Sequence, residues 1–144
     1  MTRILCVEDD DSSLDLLQRR LTRSGFEVTV AMDGLEGVAA AISAPPDLIV
    51  MDLNLPTIDG WEAARRLKSR PETKHIPIIA LSAHAMEEHR EKALAAGCDE
   101  FEAKPLNFEA LLAKIRAILG RSAESRRDGD PGGIRTRDLD LERV

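Results

Sequence analysis

The stretch Asp47-Leu48-Ile49-Val50-Met51-Asp52 is an apolar run between two acids, and it decides the fold that we predict for this chain. A continuous apolar run of this length is typical of a parallel strand that is buried on both faces. The residues that follow, 53–60, contain Pro56 and the pair Asp59-Gly60, which together predict a loop. We therefore expect a carboxylate, Asp52, at the carboxyl end of a central strand.

Short apolar runs alternate with helical patterns on both sides of this strand. The other predicted strands are residues 4–7, 26–30, 76–81 and 100–103, and the predicted helices begin near residues 12, 33, 61, 86 and 108. Strands that alternate with helices predict an α/β fold, a doubly wound five-stranded parallel sheet with five helices on its two faces. In such sheets, ligands bind at the carboxyl ends of the strands.

Residue types also predict where some helices begin, end and bury their side chains. Ser12 or Ser13 is a suitable cap for the first helix, and Asp33 for the second. The last helix is predicted to end at Gly120. In the second helix, apolar side chains with helical spacing predict the buried face: Leu35, Val38, Ala39 and Ile42.

Composition excludes several classes of protein. The chain has 144 residues, of which 43% are hydrophobic and 32% charged, and it suits one globular domain. No apolar run approaches the roughly 20 residues that span a membrane. No signal peptide is recognisable, so we expect a cytoplasmic protein. The formal net charge of −6 argues against direct binding to nucleic acid. Cys6 and Cys98 lack metal-ligand spacing and are expected to be buried, inert thiols.

The other predicted strands also end next to chemically active side chains. Glu8 and Asp9 follow the first strand, Ser82 ends the fourth, and Lys104 follows the fifth. Each of them, taken alone, is equally compatible with an ordinary residue after a strand. Together with Asp52, they predict that carboxylates, a hydroxyl and an ammonium group converge on one crevice.

The sequence resembles the response-regulator receiver domains of two-component systems. The resemblance covers roughly residues 3 to 119 and depends on motifs in a fixed order: Val7-Glu8-Asp9-Asp10, Leu48 to Pro56, Asp59-Gly60, Leu81-Ser82-Ala83 and Ala103-Lys104-Pro105. It implies a flavodoxin-like sheet with strand order 2-1-3-4-5. The stretch 76–86 is also similar to receivers that stand alone or sit within hybrid kinases.

The resemblance implies that Asp52 accepts a phosphoryl group from a histidine kinase or a histidine phosphotransfer protein. Two carboxylates about 4 Å apart, at an effective dielectric near 20, repel each other by on the order of 4 kcal/mol. A bound hard divalent cation, Mg²⁺ or Mn²⁺, offsets that repulsion. By resemblance, Asp9, Asp52 and the backbone carbonyl of Asn54 bind the ion directly, and Glu8 acts mainly through bound water.

Three further residues are implied to respond to the phosphoryl group. In the family, Lys104 pairs with a phosphoryl oxygen, and Ser82 donates its hydroxyl to the phosphoryl group. An aromatic side chain on the fifth strand, here Phe101, often follows that movement, and a plain core aromatic is the equal alternative. The chain has no Tyr, which excludes a readout through a tyrosine hydroxyl. Pro105 favours a cis Lys104–Pro105 bond.

His84 and Asn54 each lie two positions after a strand-end site residue, where the family's side chains overlook the attacking water. The resemblance implies that this pair tunes the lifetime of the phosphoryl group. The alternative for His84 is an exposed loop residue. His75 and His89 are expected to be solvated residues that flank helices.

Two surfaces are candidates for partners. The fourth helix has a thin apolar face that includes Ala93 and Leu94, so it is a candidate mobile element. In the family, the surface formed by this helix, the fifth strand and the fifth helix binds a downstream target protein or a second receiver in a homodimer. Near the acidic site, Ser13, Leu14 and Leu17 are a candidate docking site for a phosphotransfer helix, although a cap and core residues are the simpler interpretation.

The receiver domain is expected to span residues 1–120, and residues 121–144 are predicted to form a disordered tail. This tail is too short for a DNA-binding output module, and the start at Met1 favours a stand-alone receiver over one cut from a hybrid kinase. The string 132–139 resembles translation across the antisense of a transfer-RNA T-arm. Under that hypothesis the tail has no selected function, and the nucleotide sequence tests it.

Two alternatives stay open. One is a Mg²⁺-dependent phosphatase with an aspartyl nucleophile, since residues 9–13 loosely match the loop of haloacid-dehalogenase-like hydrolases. That reading leaves Asp52, Ser82 and Lys104 unexplained. The other is a pseudo-receiver that is never phosphorylated, against which the intact acidic set argues. We expect no enzymatic activity beyond acceptance of the phosphoryl group and its hydrolysis.

Overall fold

The computed structural model describes residues 1–83 and 87–128, with side chains as far as Arg121. Strands and helices alternate along it: β1 (Arg3–Val7), α1 (Asp11–Arg23), β2 (Glu27–Ala31), α2 (Gly34–Ser43), β3 (Leu48–Asp52), α3 (Gly60–Lys68), β4 (Ile78–Ser82), α4 (Glu87–Ala95), β5 (Glu100–Ala103) and α5 (Phe108–Asp128). Residues 1–111 form one compact unit, and a second begins at Leu112, within α5.

The strands form a parallel sheet of five, in the order β2-β1-β3-β4-β5. This confirms the doubly wound, flavodoxin-like fold and the position of β5 at an edge. The apolar runs of β3 and β4 are buried along their whole length, which the sequence predicted for β3. In the register, Val7 lies opposite Met51, and Asp52 lies opposite Leu81. The ends of β1, β3 and β4 therefore meet at one edge, which we call the carboxyl edge.

Aspartates cap three of the helices. Asp33 and Asp59 each accept a hydrogen bond from a backbone N–H of the first turn, which confirms Asp33 as the cap of α2. For α1, the expected cap was wrong. Asp10 is the N-cap, and its carboxylate accepts a hydrogen bond of 2.9 Å from the backbone N–H of Ser13. An aspartate caps a helix as well as a serine does, so the helix begins earlier and takes in Ser12.

The predicted buried face of α2 is correct only in part, since Val38 packs against the core and Ile42 is half-buried. Leu35 is 47% exposed, Ala39 is exposed, and the buried residues are small: Gly34, Gly37 and Ala41. A Cβ atom on Gly37 would lie 2.9 Å from a methyl carbon of Val7, closer than such atoms approach. The helix lies so near β1 that only glycine fits at position 37, and Leu35 turns outward.

The last helix does not end where it was predicted to end. α5 continues through Gly120 to Asp128. A glycine within a helix costs only about 1 kcal/mol relative to alanine, which good helix formers on either side offset. Residues 121–128 of the predicted tail are therefore helical, and residues 129–144 lie outside the described part, so disorder there stays a prediction. Across the described ranges, no helix combines the length and apolar character that crossing a membrane requires.

Both cysteines are buried free thiols, as predicted. Burial raises the pKa of Cys6 to about 12, and the negative charge of Glu8 adds to the effect. Burial likewise raises the pKa of Cys98 to about 12, with a contribution from Asp99. Thiols with such pKa values are almost entirely protonated at neutral pH and are poor nucleophiles.

Candidate functional site at the carboxyl edge

Three carboxylates converge at the carboxyl edge of the sheet. Glu8 and Asp9 follow β1, and Asp52 is the last residue of the neighbouring β3. One oxygen from each of the three lies within 4.8 Å of the others. Glu8 and Asp52 are 1% and 4% exposed, whereas Asp9 is exposed to solvent. The convergence that the strand ends predicted is therefore present.

Lys104 joins two of these carboxylates. Its Nζ donates hydrogen bonds to Glu8 Oε1 at 2.9 Å and to Asp52 Oδ2 at 2.7 Å. The residue follows β5, so its side chain reaches across β4 to arrive at β3. Its backbone N–H also donates to the carbonyl of Ser82 at 2.7 Å, which continues the pairing of β5 with β4 beyond the strands.

The charges within the cluster do not balance. One ammonium group faces three carboxylates, which leaves two negative charges when all of them are ionised. Burial raises the pKa of Glu8 above its ordinary value, against the opposing effect of its hydrogen bond with Lys104. Burial by itself would lower the pKa of Lys104, but hydrogen bonds to Asp52 and Glu8 outweigh it, so that pKa is raised. Lys104 is thus held as a cation among an excess of carboxylates.

Backbone groups orient the two buried carboxylates. The N–H of Asn54 donates to Asp52 Oδ1 at 2.9 Å, and the N–H of Asp10 donates to Glu8 Oε2 at 3.1 Å. Both oxygens of Glu8 therefore already accept hydrogen bonds, while Asp9 faces solvent. An all-oxygen set with excess negative charge and one open side fits Mg²⁺, which prefers oxygen ligands and keeps several waters.

Ser82 lies on β4, the strand beside Asp52, and Phe101 lies on β5, one strand further. Ser82 ends β4 and is 4% exposed. Phe101 pairs in register with Ala80 and belongs to the hydrophobic core, where it is 8% exposed. The core interpretation of Phe101 is therefore correct, and its role as a switch stays a prediction. The Lys104–Pro105 bond is cis, as expected. His84 lies outside the described residues.

Sequence reasoning missed an aromatic contact next to this site. The ring of Trp61 on α3 lies 5.7 Å from the ring of His89 on α4, and Lys92 Nζ lies 4.1 Å from the indole centroid. His89 is half-buried, so the expectation of a solvated residue is wrong, whereas His75 is exposed as predicted. The spacing of His89 and Lys92 puts both on one side of a helix, but it does not reveal which helix faces them.

Trp61 and His89 also line a cavity of about 260 Å³ that reaches the carboxyl edge. Its other walls include four residues from the loops and strand ends around Asp52: Asn54, Asp59, Ser82 and Ala83. The aromatic contact is therefore continuous with the surroundings of the acidic cluster.

A second cavity, of about 340 Å³, lies between α1 and the start of α5. The guanidinium of Arg20 sits 4.3 Å from the ring of Phe108 at its wall, and Leu16, which is 54% exposed, contributes an apolar surface. Of the predicted docking residues on α1, Leu14 and Leu17 are buried, so the core interpretation is correct for both. The exposed apolar residue of this helix is Leu16.

Comparisons with known proteins agree with this geometry. A family model described as the response regulator receiver domain matches residues 4–116. The DNA-binding dual master transcriptional regulator RpaA of Synechocystis sp. is 37% identical over 122 residues, which cover 85% of this chain and 51% of RpaA. The chain therefore spans about half the length of this curated relative.

Solved structures show the same fold. The chemotaxis protein CheY4 of Vibrio cholerae matches with a TM-score of 0.77 and 31% identity, over 81% of this chain and 98% of CheY4. The receiver domain of a sensor histidine kinase from Pseudomonas aeruginosa PAO1 matches with a TM-score of 0.72 and 35% identity, over 83% of this chain and 95% of that domain. That structure has a magnesium ion coordinated in the active site cleft.

Fold, strand-end residues and family match coincide over most of the chain. Receiver domains of this family interact with histidine kinases or phosphotransfer proteins, and they bind Mg²⁺ in the active site. The chain belongs to the response regulator receiver domains of two-component systems.

Proposed function

We propose that Asp52 of this chain accepts a phosphoryl group from the phosphohistidine of a histidine kinase or a histidine phosphotransfer protein. The observation that carries the proposal is the position of Asp52, buried at a strand end between Lys104 and two further carboxylates. An Asp52 oxygen attacks phosphorus, and an O–P bond forms as the P–N bond of the donor breaks. The electron pair of that bond returns to the imidazole nitrogen, which completes the transfer.

We assign the Mg²⁺ site to Asp9 and Asp52, with the backbone carbonyl of Asn54 as a further ligand and Glu8 acting through water. The exposure of Asp9 supports a direct role, and the two hydrogen bonds already made by Glu8 support an indirect one. When bound, Mg²⁺ offsets the negative charge of the carboxylates and of the phosphoryl oxygens.

Lys104 and Ser82 would respond to the new group. Phosphorylation adds about −1.5 to −2 charge and three strong acceptor oxygens. The ammonium of Lys104, now 2.7 Å from Asp52 Oδ2, can turn to a phosphoryl oxygen as a point charge. The hydroxyl of Ser82, on the adjacent strand end, would donate to another oxygen and draw the following loop inward. Asn54 and His84 are proposed to limit access of the attacking water and so to set the phosphoryl lifetime.

We propose that the donor protein docks at the cavity beside Leu16, Arg20 and Phe108, and that the target protein or a second copy binds near α4 and β5. The exposed apolar surface of Leu16 supports the first assignment, and the edge position of β5 supports the second. The net charge of −6 supports a protein target in the cytoplasm over direct contact with nucleic acid by this chain. RpaA is named as DNA-binding, and it is about twice as long.

Incubation with acetyl phosphate and Mg²⁺, followed by intact-mass measurement, tests the proposed function. The wild-type chain should gain the mass of one phosphoryl group, and Asp52→Asn should gain none. Asp59→Asn is the matched control, because Asp59 lies in the same loop but serves as the cap of α3. No added mass on the wild type, under conditions that label another receiver, would leave the pseudo-receiver as the better interpretation.

The same preparation tests the rival phosphatase. Hydrolysis of a small phosphoester that persists in Asp52→Ala and disappears in Asp9→Asn would favour an enzyme whose nucleophile is Asp9. We propose instead that the chain does not turn over such esters. Its acidic cluster contains an ion pair between Lys104 and Asp52, which a nucleophile at Asp9 leaves without a role.

A further inference from the structure

Helix α4 has few contacts of its own. Its one fully buried residue within Glu87–Ala95 is Ala93, and the rest are exposed apart from the half-buried His89. Two of its side chains, His89 and Lys92, lie one turn apart and contact the indole of Trp61 on α3. Among the described residues, this aromatic contact is therefore one attachment of α4, beside its packing against β5.

The contact is not closely packed. The cavity of about 260 Å³ is lined by the Trp61–His89 pair and extends to Ser82 and Ala83. Another cavity, of about 370 Å³, is lined by Trp61, Glu88, His89 and Lys92. Both are open to solvent, so side chains of α4 have room to move next to Trp61.

The present position of Trp61 also has an unfavourable feature. Its Nε1–H is buried, and no acceptor for it exists among the described residues. A buried donor without a partner disfavours the arrangement in which it is buried. An arrangement of α4 that exposes or pairs this N–H would remove that cost.

We propose that Trp61 is a positioning residue that holds α4 in the arrangement seen here and thereby sets the affinity of the site for the phosphoryl group. The inference rests on the proposed function. Movement of Ser82 toward a phosphoryl oxygen draws on Ala83, which only three residues separate from the first residue of α4. That movement shifts α4 into the adjoining cavity and works against the contacts of Trp61 with His89 and Lys92.

Reciprocity of coupled equilibria makes the proposal measurable. If Ser82 must move against the Trp61 contacts, weakening those contacts strengthens binding at the phosphoryl site by the same factor. Beryllofluoride with Mg²⁺ is the probe, and isothermal titration calorimetry on the full chain is the measurement. Trp61→Ala should bind it about fivefold more tightly than the wild type, the low end of typical coupling. Trp61→Phe keeps a ring and should fall between the two.

Two controls separate coupling from simple loosening. Leu67→Val on the same helix perturbs the buried core, away from the cavity, and should leave the dissociation constant within twofold. In a Ser82→Ala background, Trp61→Ala should no longer change the affinity. Trp61 is the single tryptophan of the chain, so its fluorescence emission should change when beryllofluoride binds to the wild type. Lys92→Met should reduce that change.

The outcomes distinguish the two proposals. If the wild type does not bind beryllofluoride with Mg²⁺, the proposed function fails. If the wild type binds but Trp61→Ala has unchanged affinity, the positioning role of Trp61 is wrong. If Trp61→Ala tightens binding equally in the Ser82→Ala background, the effect does not pass through Ser82, and the inference is overturned as well.

Discussion

Two lysines form hydrogen bonds at opposite ends of the strands, one at the carboxyl edge and one at the other edge, and their partners differ. Lys104, at the carboxyl edge, donates to the carboxylates of Glu8 and Asp52. Lys68, at the end of α3, lies at the edge where β4 begins. Its Nζ donates to the Ile76 carbonyl at 2.7 Å, the Lys74 carbonyl at 3.3 Å and Asp99 Oδ2 at 3.3 Å. Both ammonium groups join segments that are distant in sequence.

The difference lies in whether the partners can change. Two of the three acceptors of Lys68 are neutral backbone carbonyls, and the third, Asp99, lies far from the proposed site. The partners of Lys104 are carboxylates of the proposed site, where the local charge would change on binding of a cation or on phosphorylation of Asp52. If the proposed function holds, an ammonium group of the same chemistry is structural at one edge and responsive at the other.

The largest expected effect is that of Lys104→Met. Removing one partner of a buried, hydrogen-bonded charge cluster costs roughly 2 to 5 kcal/mol of binding, which is roughly thirtyfold or more in affinity. Beryllofluoride with Mg²⁺, titrated by calorimetry, is the measurement. Lys68→Met, which removes the same charge at the other edge, is the matched control and should bind as the wild type does. Equal weakening of beryllofluoride binding in both variants would contradict the difference between the two lysines.

Lys68→Met should lower the unfolding free energy instead of the affinity for beryllofluoride. It leaves the carbonyl oxygens of Lys74 and Ile76 without the Lys68 donor, which costs about 1 to 3 kcal/mol of unfolding free energy, while Asp99 keeps the hydrogen bond from the N–H of Ile78. Urea unfolding followed by circular dichroism measures this loss, with Lys74→Met as the control for an exposed lysine. A variant as stable as the wild type would mean that solvent replaces these bonds.

A buried cysteine lies near each of these edges, and the two thiols predict that the unfolding free energy depends on pH. Cys6 precedes the acidic cluster and Cys98 adjoins Asp99, and each has a pKa of about 12 in the folded chain. Because the ordinary pKa of a thiol is lower, the unfolded chain loses these protons first. The contribution of the two thiols to the unfolding free energy should therefore be fully present below about pH 8.5. It should be lost as the pH rises toward 12, by up to about 1.4 kcal/mol per pH unit for each thiol.

The thiol prediction can be checked one edge at a time. Unfolding in urea at pH 8 and pH 10 should show a smaller pH-dependent loss in Cys98→Ala and in Cys6→Ala than in the wild type. Labelling by iodoacetamide at pH 8 should report opening of each edge, so Lys68→Met should speed modification of Cys98 more than that of Cys6. Equal acceleration at both thiols would indicate global unfolding.

The smallest expected effect is that of Asp99→Asn. The Asp99 side chain is 41% exposed, and its ion pair with Lys68 has a distance of 3.3 Å, so solvent screens the charge. The amide oxygen can still accept the 2.8 Å hydrogen bond from the N–H of Ile78. The unfolding free energy should fall by less than about 1 kcal/mol. A loss as large as that of Lys68→Met would show that the charge itself stabilises this edge.

Much of the candidate site could be predicted because its residues lie at the ends of strands. An apolar run such as residues 47–52 identifies a buried strand locally, and parallel strands bring their carboxyl ends together. No knowledge of side-chain packing was therefore needed to predict the site residues Glu8, Asp9, Asp52 and Lys104. The Asp10 cap was missed for a local reason, since adjacent acids and serines are equally good caps.

The sequence by itself determined the alternation of elements, the family and the residues of the acidic cluster, because all of these depend on short-range patterns and order. Only the tertiary structure decided which helix faces meet. Hydrophobicity predicted Leu35 on the inner side of α2, but the close approach of α2 to Val7 admits only glycine there. Likewise, Trp61 of α3 contacts His89 and Lys92 of α4, a proximity that no spacing within either helix encodes.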